Sequence, residues 1–116
     1  MNDMMKKCTF LLLMAGLSLH VQAASFNCER ATTSTEKAIC AKMSLNDADV
    51  KMATSYTILR KLVPMKERSM IQEEQMKWLQ LRDQCHDHAK CLSDVYQMRQ
   101  QKIDLHLNQI YKTKMQ

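Results

Sequence analysis

Glycine and proline are almost absent from this chain of 116 residues, which has one of each. A fold rich in β-structure needs many turn-forming residues, so the composition favours helices. A phosphate-binding glycine loop and a dinucleotide-binding turn are both excluded, because neither can be built without several glycines. No two cysteines have the Cys-x-x-Cys spacing, which argues against a thiol–disulfide oxidoreductase. The chain is therefore predicted to form one small all-α domain of three to four antiparallel helices.

The long apolar run of the chain lies near its start and is typical of a signal peptide. Two lysines precede the run Thr9–Leu19, which is too short to span a bilayer comfortably. Val21-Gln22-Ala23 fits the small-residue rule for signal-peptidase cleavage, so residues 1–23 are predicted to be removed, although cleavage after Ala24 fits nearly as well. We expect a periplasmic or secreted, soluble domain over residues 24–116, without a transmembrane segment.

The remaining cysteines then number four, an even count in an oxidising compartment. Four cysteines allow three pairings. The local pairing, Cys28–Cys40 with Cys85–Cys91, is predicted because each pair brackets one short unit. Loop-closure entropy gives each bridge roughly 2–3 kcal/mol, which is useful to a domain with a modest core.

Four helical segments can be placed along residues 24–116. The first begins at a capping box, in which Thr33 caps the helix and Glu36 follows three residues later. The second is predicted to start within Ser44–Asp47, with Ser44 or Asn46 as its cap, and Pro64 is predicted to end it or to lie just after its end. The third is predicted from about Lys66 to Gln84, and the fourth from Ala89 to about Tyr111, with the tail beyond it frayed.

The third and fourth helices are predicted to pack together on either side of a polar corner, His86–Lys90. Residues at helical spacing define their inner faces. Before the corner these are Ile71, Trp78, Leu81 and Cys85; after it they are Leu92, Val95, Tyr96, Arg99, Ile103, His106, Leu107 and Ile110.

Two interpretations apply to a set of polar and aromatic residues on these helices: Gln75, Trp78, Arg82, Asp83, Tyr96 and Arg99. In the first they form a structural network, in which Arg82 is favoured by the helix dipole and pairs with Asp83 or a neighbouring carboxylate. In the second they form a recognition surface, because Trp, Tyr and Arg are enriched at interface hot spots.

The corner also has two interpretations. Two cysteines and two histidines, His86 and His88, lie within seven residues and are potential ligands of zinc or copper. The spacing is not that of a zinc finger, and one tight corner cannot easily supply all four ligands. A disulfide is the prediction, which leaves His86 and His88 as a weak exposed pair. We predict no metal or other cofactor.

Several motifs resemble the LprI-like lysozyme-inhibitor domain. They are Thr33-x-x-Glu36-x-x-Ile39-Cys40, Leu45-x-x-x-Asp49-x-x-Met52-x-x-x-Tyr56, Gln75-x-x-Trp78-Leu79-x-x-Arg82-Asp83-x-Cys85 and Cys91-Leu92-x-x-x-Tyr96-x-x-Arg99-x-x-x-Ile103. Members of that family are small, helical, exported bacterial proteins with paired cysteines, and at least one is a lysozyme inhibitor. The resemblance implies a binding module whose partner is a lysozyme-like muramidase, or an immunity factor against a cell-wall-degrading toxin.

Charge complicates this hypothesis. Removing the leader's two lysines and one aspartate changes the net charge from +5 to +4, and host lysozymes are commonly basic too. Binding would then depend on a local acidic surface, for which Glu73, Glu74 and Asp87 are the candidates.

Two alternatives stay open: a periplasmic metal-binding protein that uses the His/Cys corner, and an envelope structural or assembly factor. An enzyme is not expected, because the sequence contains no recognisable nucleophile–base pair. Nucleic acid is disfavoured as a partner by the predicted export and the small net charge.

Overall fold

The computed structural model of the protein describes residues 24–116, and the predicted leader, residues 1–23, lies outside them. Four α-helices follow a short 3-10 turn at Cys28–Arg30: α1 (Ser34–Ala41), α2 (Met43–Leu62), α3 (Met65–Asp83) and α4 (Ala89–Met115). Residues 24–116 contain no strand, which confirms the all-α prediction. None of the helices in this part of the chain is both long and apolar enough to cross a membrane.

The helix starts agree with the sequence in one case and differ in another. The Thr33 hydroxyl accepts a hydrogen bond from the Glu36 amide at 3.1 Å, so the predicted cap of α1 is confirmed. The predicted start of α2 at Ser44 or Asn46 is wrong, because α2 begins at Met43 after Lys42, which makes no side-chain cap. A single residue separates α1 from α2, and the Asn46 amide already bonds to the Lys42 carbonyl oxygen at 2.9 Å.

The helix ends are largely as expected. Pro64 separates α2 from α3, since α2 ends at Leu62 and α3 begins at Met65. The predicted fraying after Tyr111 is not seen. Instead α4 continues to Met115, and the Thr113 hydroxyl donates to the Gln109 carbonyl oxygen at 2.9 Å within it.

Both disulfides form with the predicted pairing. Cys28–Cys40 joins the 3-10 turn to α1, with 5.8 Å between the two Cα atoms, and Cys85–Cys91 closes the corner with 5.5 Å. Both separations lie in the usual range for a disulfide. Within the closed corner His86 has a φ of 52°, a left-handed conformation that few non-glycine residues adopt.

All four helices contribute to one main core. Its buried members are Ile39 from α1, Met52 and Leu59 from α2, Val63 after α2, Ile71 and Trp78 from α3, and Tyr96 and Ile103 from α4. A second cluster of Leu45, Cys85 and Leu92 lies at the corner end. The core thus extends along the line where α2, α3 and α4 meet.

One residue of the predicted inner face of α3 is misplaced. Leu81 is 41% exposed, whereas Gln75 and Arg82 are buried. The buried stripe of α3 follows alternating steps of four and three residues through Ile71, Gln75, Trp78, Arg82 and Cys85. Two members of that stripe, Gln75 and Arg82, are polar. A prediction based on hydrophobicity therefore assigned Leu81 to the inner face in place of its neighbour Arg82.

Candidate functional site between the last two helices

Trp78 lies where α3 meets α4 and is buried. Its indole N–H donates to the Val95 carbonyl oxygen at 3.1 Å. Its ring meets the Tyr96 ring edge to face, with 5.1 Å between the centroids. Such a pair contributes roughly 0.5–1.5 kcal/mol beyond the area it buries. Trp78 therefore fixes α3 against α4 by packing and by a hydrogen bond.

Above Trp78, towards the corner, lies a group of four side chains that we name the Arg82 site: Arg82, Asp83, Tyr96 and Asp49. The Nε and Nη2 atoms of Arg82 donate to Asp83 Oδ1 at 3.1 and 2.9 Å, and its Nη1 lies 3.5 Å from the Tyr96 hydroxyl oxygen. The Tyr96 hydroxyl donates to Asp49 Oδ1 at 2.8 Å. These bonds connect α2, α3 and α4.

The electrostatics of the Arg82 site favour one protonation state. Burial alone would lower the pKa of Arg82, but its interactions with Tyr96 and Asp83 outweigh burial, and the pKa is raised. Burial and the nearby Asp49 carboxylate raise the pKa of Tyr96 well above its ordinary value. Tyr96 is therefore a neutral donor and Arg82 a cation at any physiological pH.

Below Trp78 lies a second buried guanidinium, which with Gln75 and Glu74 we name the Arg99 site. Arg99 Nε donates to Gln75 Oε1 at 3.0 Å, and Arg99 Nη1 lies 3.9 Å from Glu74 Oε2. Arg99 Nη2 is buried and has no hydrogen-bond partner within residues 24–116. Burial lowers the pKa of Arg99, although Glu74 opposes the shift. The hydrogen-bonding capacity of this guanidinium is incompletely used.

A groove of about 290 Å³ opens between α3 and α4 beside the Arg99 site. Its lining consists of an apolar set, Trp78, Leu81 and Met98, and a charged set, Glu74, Lys77, Arg99 and Lys102. Leu81 and Met98 are 41% and 49% exposed, so apolar surface is open to a partner here. An apolar centre with a charged rim is the usual anatomy of a protein–protein contact.

The three candidate acidic residues do not form one patch. Glu73 is exposed and pairs with Lys77 at 3.3 Å, whereas Glu74 is half-buried and belongs to the Arg99 site. Asp87 lies in the corner after α3. Glu74 precedes the end of α3 by nine residues, or roughly 14 Å of helix, which separates Asp87 from the other two.

The structure places the corner histidines on the surface. His88 Nδ1 accepts a hydrogen bond from the Cys91 amide at 3.3 Å and so caps the start of α4. His86 is exposed, and both flanking cysteines are in the disulfide. No three potential metal ligands of the His, Cys, Asp or Glu type cluster anywhere in residues 24–116.

The sequence analysis did not identify two parts of this region as candidate sites. The first is Asp49, whose carboxylate completes the Arg82 site. Its spacing from Leu45 and Met52 places it on the buried face of α2, a signal that was available. The second is the groove, because Met98 carries no local sign that it lies beside Leu81.

A family model described as lysozyme inhibitor LprI matches residues 28–102, which is more than half of the chain. The matched range contains both disulfides, the Arg82 site, the Arg99 site and every residue that lines the groove. Comparison with curated proteins found no match, and comparison with solved structures found none either. The chain belongs to the LprI lysozyme-inhibitor family.

Proposed function

We propose that the mature protein is an exported inhibitor of lysozyme-like muramidases, either of a host or of a rival bacterium whose toxin degrades cell walls. The observation that carries this proposal is the family match over residues 28–102. Two disulfides on a domain of this size are typical of proteins that work outside the cytoplasm. The protein acts by binding, and it cleaves neither glycan nor peptide.

The groove face of α3 and α4 is the docking surface in this proposal. It combines exposed apolar side chains, Leu81 and Met98, with the buried Trp78 and an incompletely bonded Arg99. Aromatic residues, methionine and arginine are enriched at the centres of interfaces. Three other hollows on the described surface, lined in part by Thr54, Gln97 and His106 respectively, have no tryptophan and no arginine in their lining.

The lysines on this face can bind a lysozyme even though the inhibitor and host lysozymes are both basic. Glycoside hydrolases of the lysozyme type use two carboxyl groups that flank the scissile bond. Lys77 and Lys102 on the rim of the groove are suited to meet those carboxyl groups in the cleft. The Lys77–Glu73 pair is exposed, so releasing Lys77 for this role costs little.

The acidic edge of the same face has a complementary part. Glu73 and Glu74 lie beside the groove and are available to the basic surface around a lysozyme cleft. Asp87, in the corner that follows α3, is a peripheral contact in this arrangement.

The first test uses the chain that begins at Ala24, with its disulfides formed, against a panel of muramidases. We expect micromolar or tighter binding to at least one of them and slower lysis of cell walls, measured by turbidity. The protein alone should release no sugar or peptide from the same walls. If no muramidase of any origin binds at micromolar concentration, the inhibitor proposal is wrong.

A second experiment locates the surface with two matched variants. Leu81→Glu changes the groove, and Ile58→Glu changes a residue of similar exposure, 47% against 41%, on α2. We expect Leu81→Glu to weaken binding at least ten-fold, or about 1.4 kcal/mol, and Ile58→Glu to leave it unchanged. Equal affinities for both variants would move the docking surface away from the groove.

Charge reversals then separate the two electrostatic contributions. Lys77→Glu with Lys102→Glu removes the cations of the rim, and Glu73→Lys with Glu74→Lys reverses the acidic edge. If the lysines meet the cleft, the first pair weakens binding more than the second. The reverse order assigns the main contact to the acidic edge.

A further inference from the structure

Asp49 is a fully buried carboxylate in the middle of the domain. Its Oδ1 accepts the Tyr96 hydroxyl at 2.8 Å, and its Oδ2 accepts the backbone N–H of Ser25 at 2.7 Å. No lysine, arginine or histidine of residues 24–116 forms an ion pair with it. Burying a carboxylate without a paired cation costs free energy. A positive charge placed beside Asp49 would therefore stabilise the fold.

The start of the described chain is docked against this carboxylate. Ala24 is buried, and Ser25 provides the 2.7 Å contact. Phe26 packs against the main core, and the Arg82 guanidinium carbon lies 6.0 Å from the centre of its ring. The segment Ala24–Phe26 is therefore held by a hydrogen bond, an apolar contact and a cation–π contact.

We propose that Asp49 is the binding site for the α-ammonium group of the mature chain, which forms when the leader is removed. The proposal assumes the predicted cleavage between Ala23 and Ala24. Hydrolysis breaks that amide bond: water supplies the second oxygen of the new Ala23 carboxylate, and the Ala24 nitrogen leaves as an amine that takes up a proton.

The new cation forms one residue before the Ser25 nitrogen that contacts Asp49. Consecutive Cα atoms are about 3.8 Å apart, so the Ala24 nitrogen lies roughly 3–4 Å from the Ser25 nitrogen that already contacts Oδ2. Capture of an N-terminal amine by backbone and carboxylate groups is a known recognition mode. Processing thus replaces a neutral amide by an ammonium, and Asp49 gains the charge partner it lacks.

The consequence is a domain that becomes more stable when it is processed. With the leader attached, the nitrogen of Ala24 is uncharged, and the hydrogen-bond donors that residues 24–116 offer to the Asp49 carboxylate are neutral. After cleavage, a charge-assisted contact joins the N-terminus to α2 and, through Tyr96, to α4. Removal of the leader and completion of the core are coupled in this proposal.

The test compares two chains that differ only at the α-nitrogen. A synthetic Ala24–Asn27 peptide, free or N-acetylated, is joined at Cys28 by native chemical ligation, and the product is then folded and oxidised. We expect acetylation to lower the melting temperature by roughly 5–10 °C, because it removes one charge-assisted contact from a small domain. Melting temperatures within about 1 °C of each other would overturn the proposal, because a lost charge-assisted contact shifts a domain of this size by more than that.

Two aspartates of α2 provide the matched controls. In Asp49→Asn the two chains should melt together, since the carboxylate is gone. In Asp47→Asn, where an exposed acid is changed two residues away, the difference should remain. If acetylation lowers the melting temperature equally in Asp49→Asn, the ammonium binds elsewhere and the proposal is wrong.

Two measurements on the unmutated protein apply even if Asp49→Asn does not fold. The Ala24 amine of the folded chain should react with an acylating reagent at least ten-fold more slowly than the amine of a chain extended by Gly-Ser. Equal rates would show an exposed amine. Intact mass of the exported protein should give a start at Ala24, whereas a retained leader or a start at any other residue would refute the assignment.

Discussion

Arg82 and Arg99 are both almost fully buried, at 6% and 4% exposure, and they lie on facing helices on either side of Trp78. Their surroundings differ. Arg82 makes two hydrogen bonds to Asp83 and one to Tyr96, and its pKa is raised. Arg99 makes one bond to Gln75 and a long contact to Glu74, and its pKa is lowered by burial. One of its nitrogens has no partner in the described part of the chain.

This difference separates two roles that the residue types alone leave mixed. The Arg82 site connects three helices through hydrogen bonds within the fold, so we expect its role to be structural. The Arg99 site lies beside the groove and keeps an unused donor, so it has capacity for a partner. We therefore apply the structural interpretation to Arg82 and the recognition interpretation to Arg99.

The largest expected effect concerns Trp78, which lies between the two sites. Trp78→Ala should lower the free energy of unfolding by roughly 3–5 kcal/mol, because it removes a buried ring and leaves a cavity. Urea denaturation followed by circular dichroism measures this loss. Met76→Ala, at an exposed position on the same helix, should change the value by less than about 0.5 kcal/mol. An indole emission maximum typical of full exposure in the unmutated protein would contradict the packing.

The next effect tests the Arg82 site through its tyrosine. Tyr96→Phe removes the hydroxyl donor of the buried Asp49 and should cost roughly 1–3 kcal/mol. It should also change the pH dependence. Because burial raises the pKa of Tyr96, the folded state keeps the phenol proton after an unfolded tyrosine loses it near pH 10. Stability should therefore fall as the pH rises above about 10, and Tyr96→Phe should reduce that slope.

Tyr111→Phe is the matched control for the alkaline measurement, since Tyr111 is exposed near the end of α4. Its slope above pH 10 should equal that of the unmutated protein. If the stability of Tyr96→Phe falls just as steeply above pH 10, the Tyr96 hydroxyl is not the group that keeps its proton in the folded state, which contradicts its role as the donor to Asp49.

Much of the fold was predictable from the sequence. The disulfide pairing followed from short spacings in a chain predicted to be exported, and the α1 cap followed from Thr33 and Glu36. The break at Pro64 followed from the rule that the residue before a proline avoids the α region. Each of these signals acts within a few residues. The start of α2 was missed because the backbone carbonyl of Lys42, and not a side chain, receives its first amides.

The sites were less predictable because they depend on contacts between distant residues. Asp49 and Tyr96 are 47 positions apart, and only the packing of α2 on α4 brings them together. The groove requires Leu81 to face outwards, and its helical spacing alone had favoured the core. The sequence analysis placed Arg82 and Arg99 in one set of polar and aromatic residues, but the sequence carried no sign that one of the two would keep an unpaired nitrogen.

The smallest expected effect on stability gives the sharpest test of the difference between the Arg82 site and the Arg99 site. Arg99→Met should change the free energy of unfolding by no more than about 1 kcal/mol, because losing the Gln75 bond is offset by no longer burying an incompletely paired charge. Arg82→Met should cost more, since it leaves Asp83 and Tyr96 without their cation. Urea denaturation of both variants gives the two values under the same conditions.

Binding should rank the same two variants in the opposite order. If a muramidase occupies the groove, Arg99→Met should weaken its affinity at least ten-fold, whereas folded Arg82→Met should bind as the unmutated protein does, because Arg82 does not line the groove. Titration calorimetry below the melting temperature of both variants makes the comparison. Equal losses of stability in the two variants would show that the two arginines contribute equally to the fold. A larger loss of affinity in Arg82→Met would show that the unpaired nitrogen of Arg99 has no part in recognition.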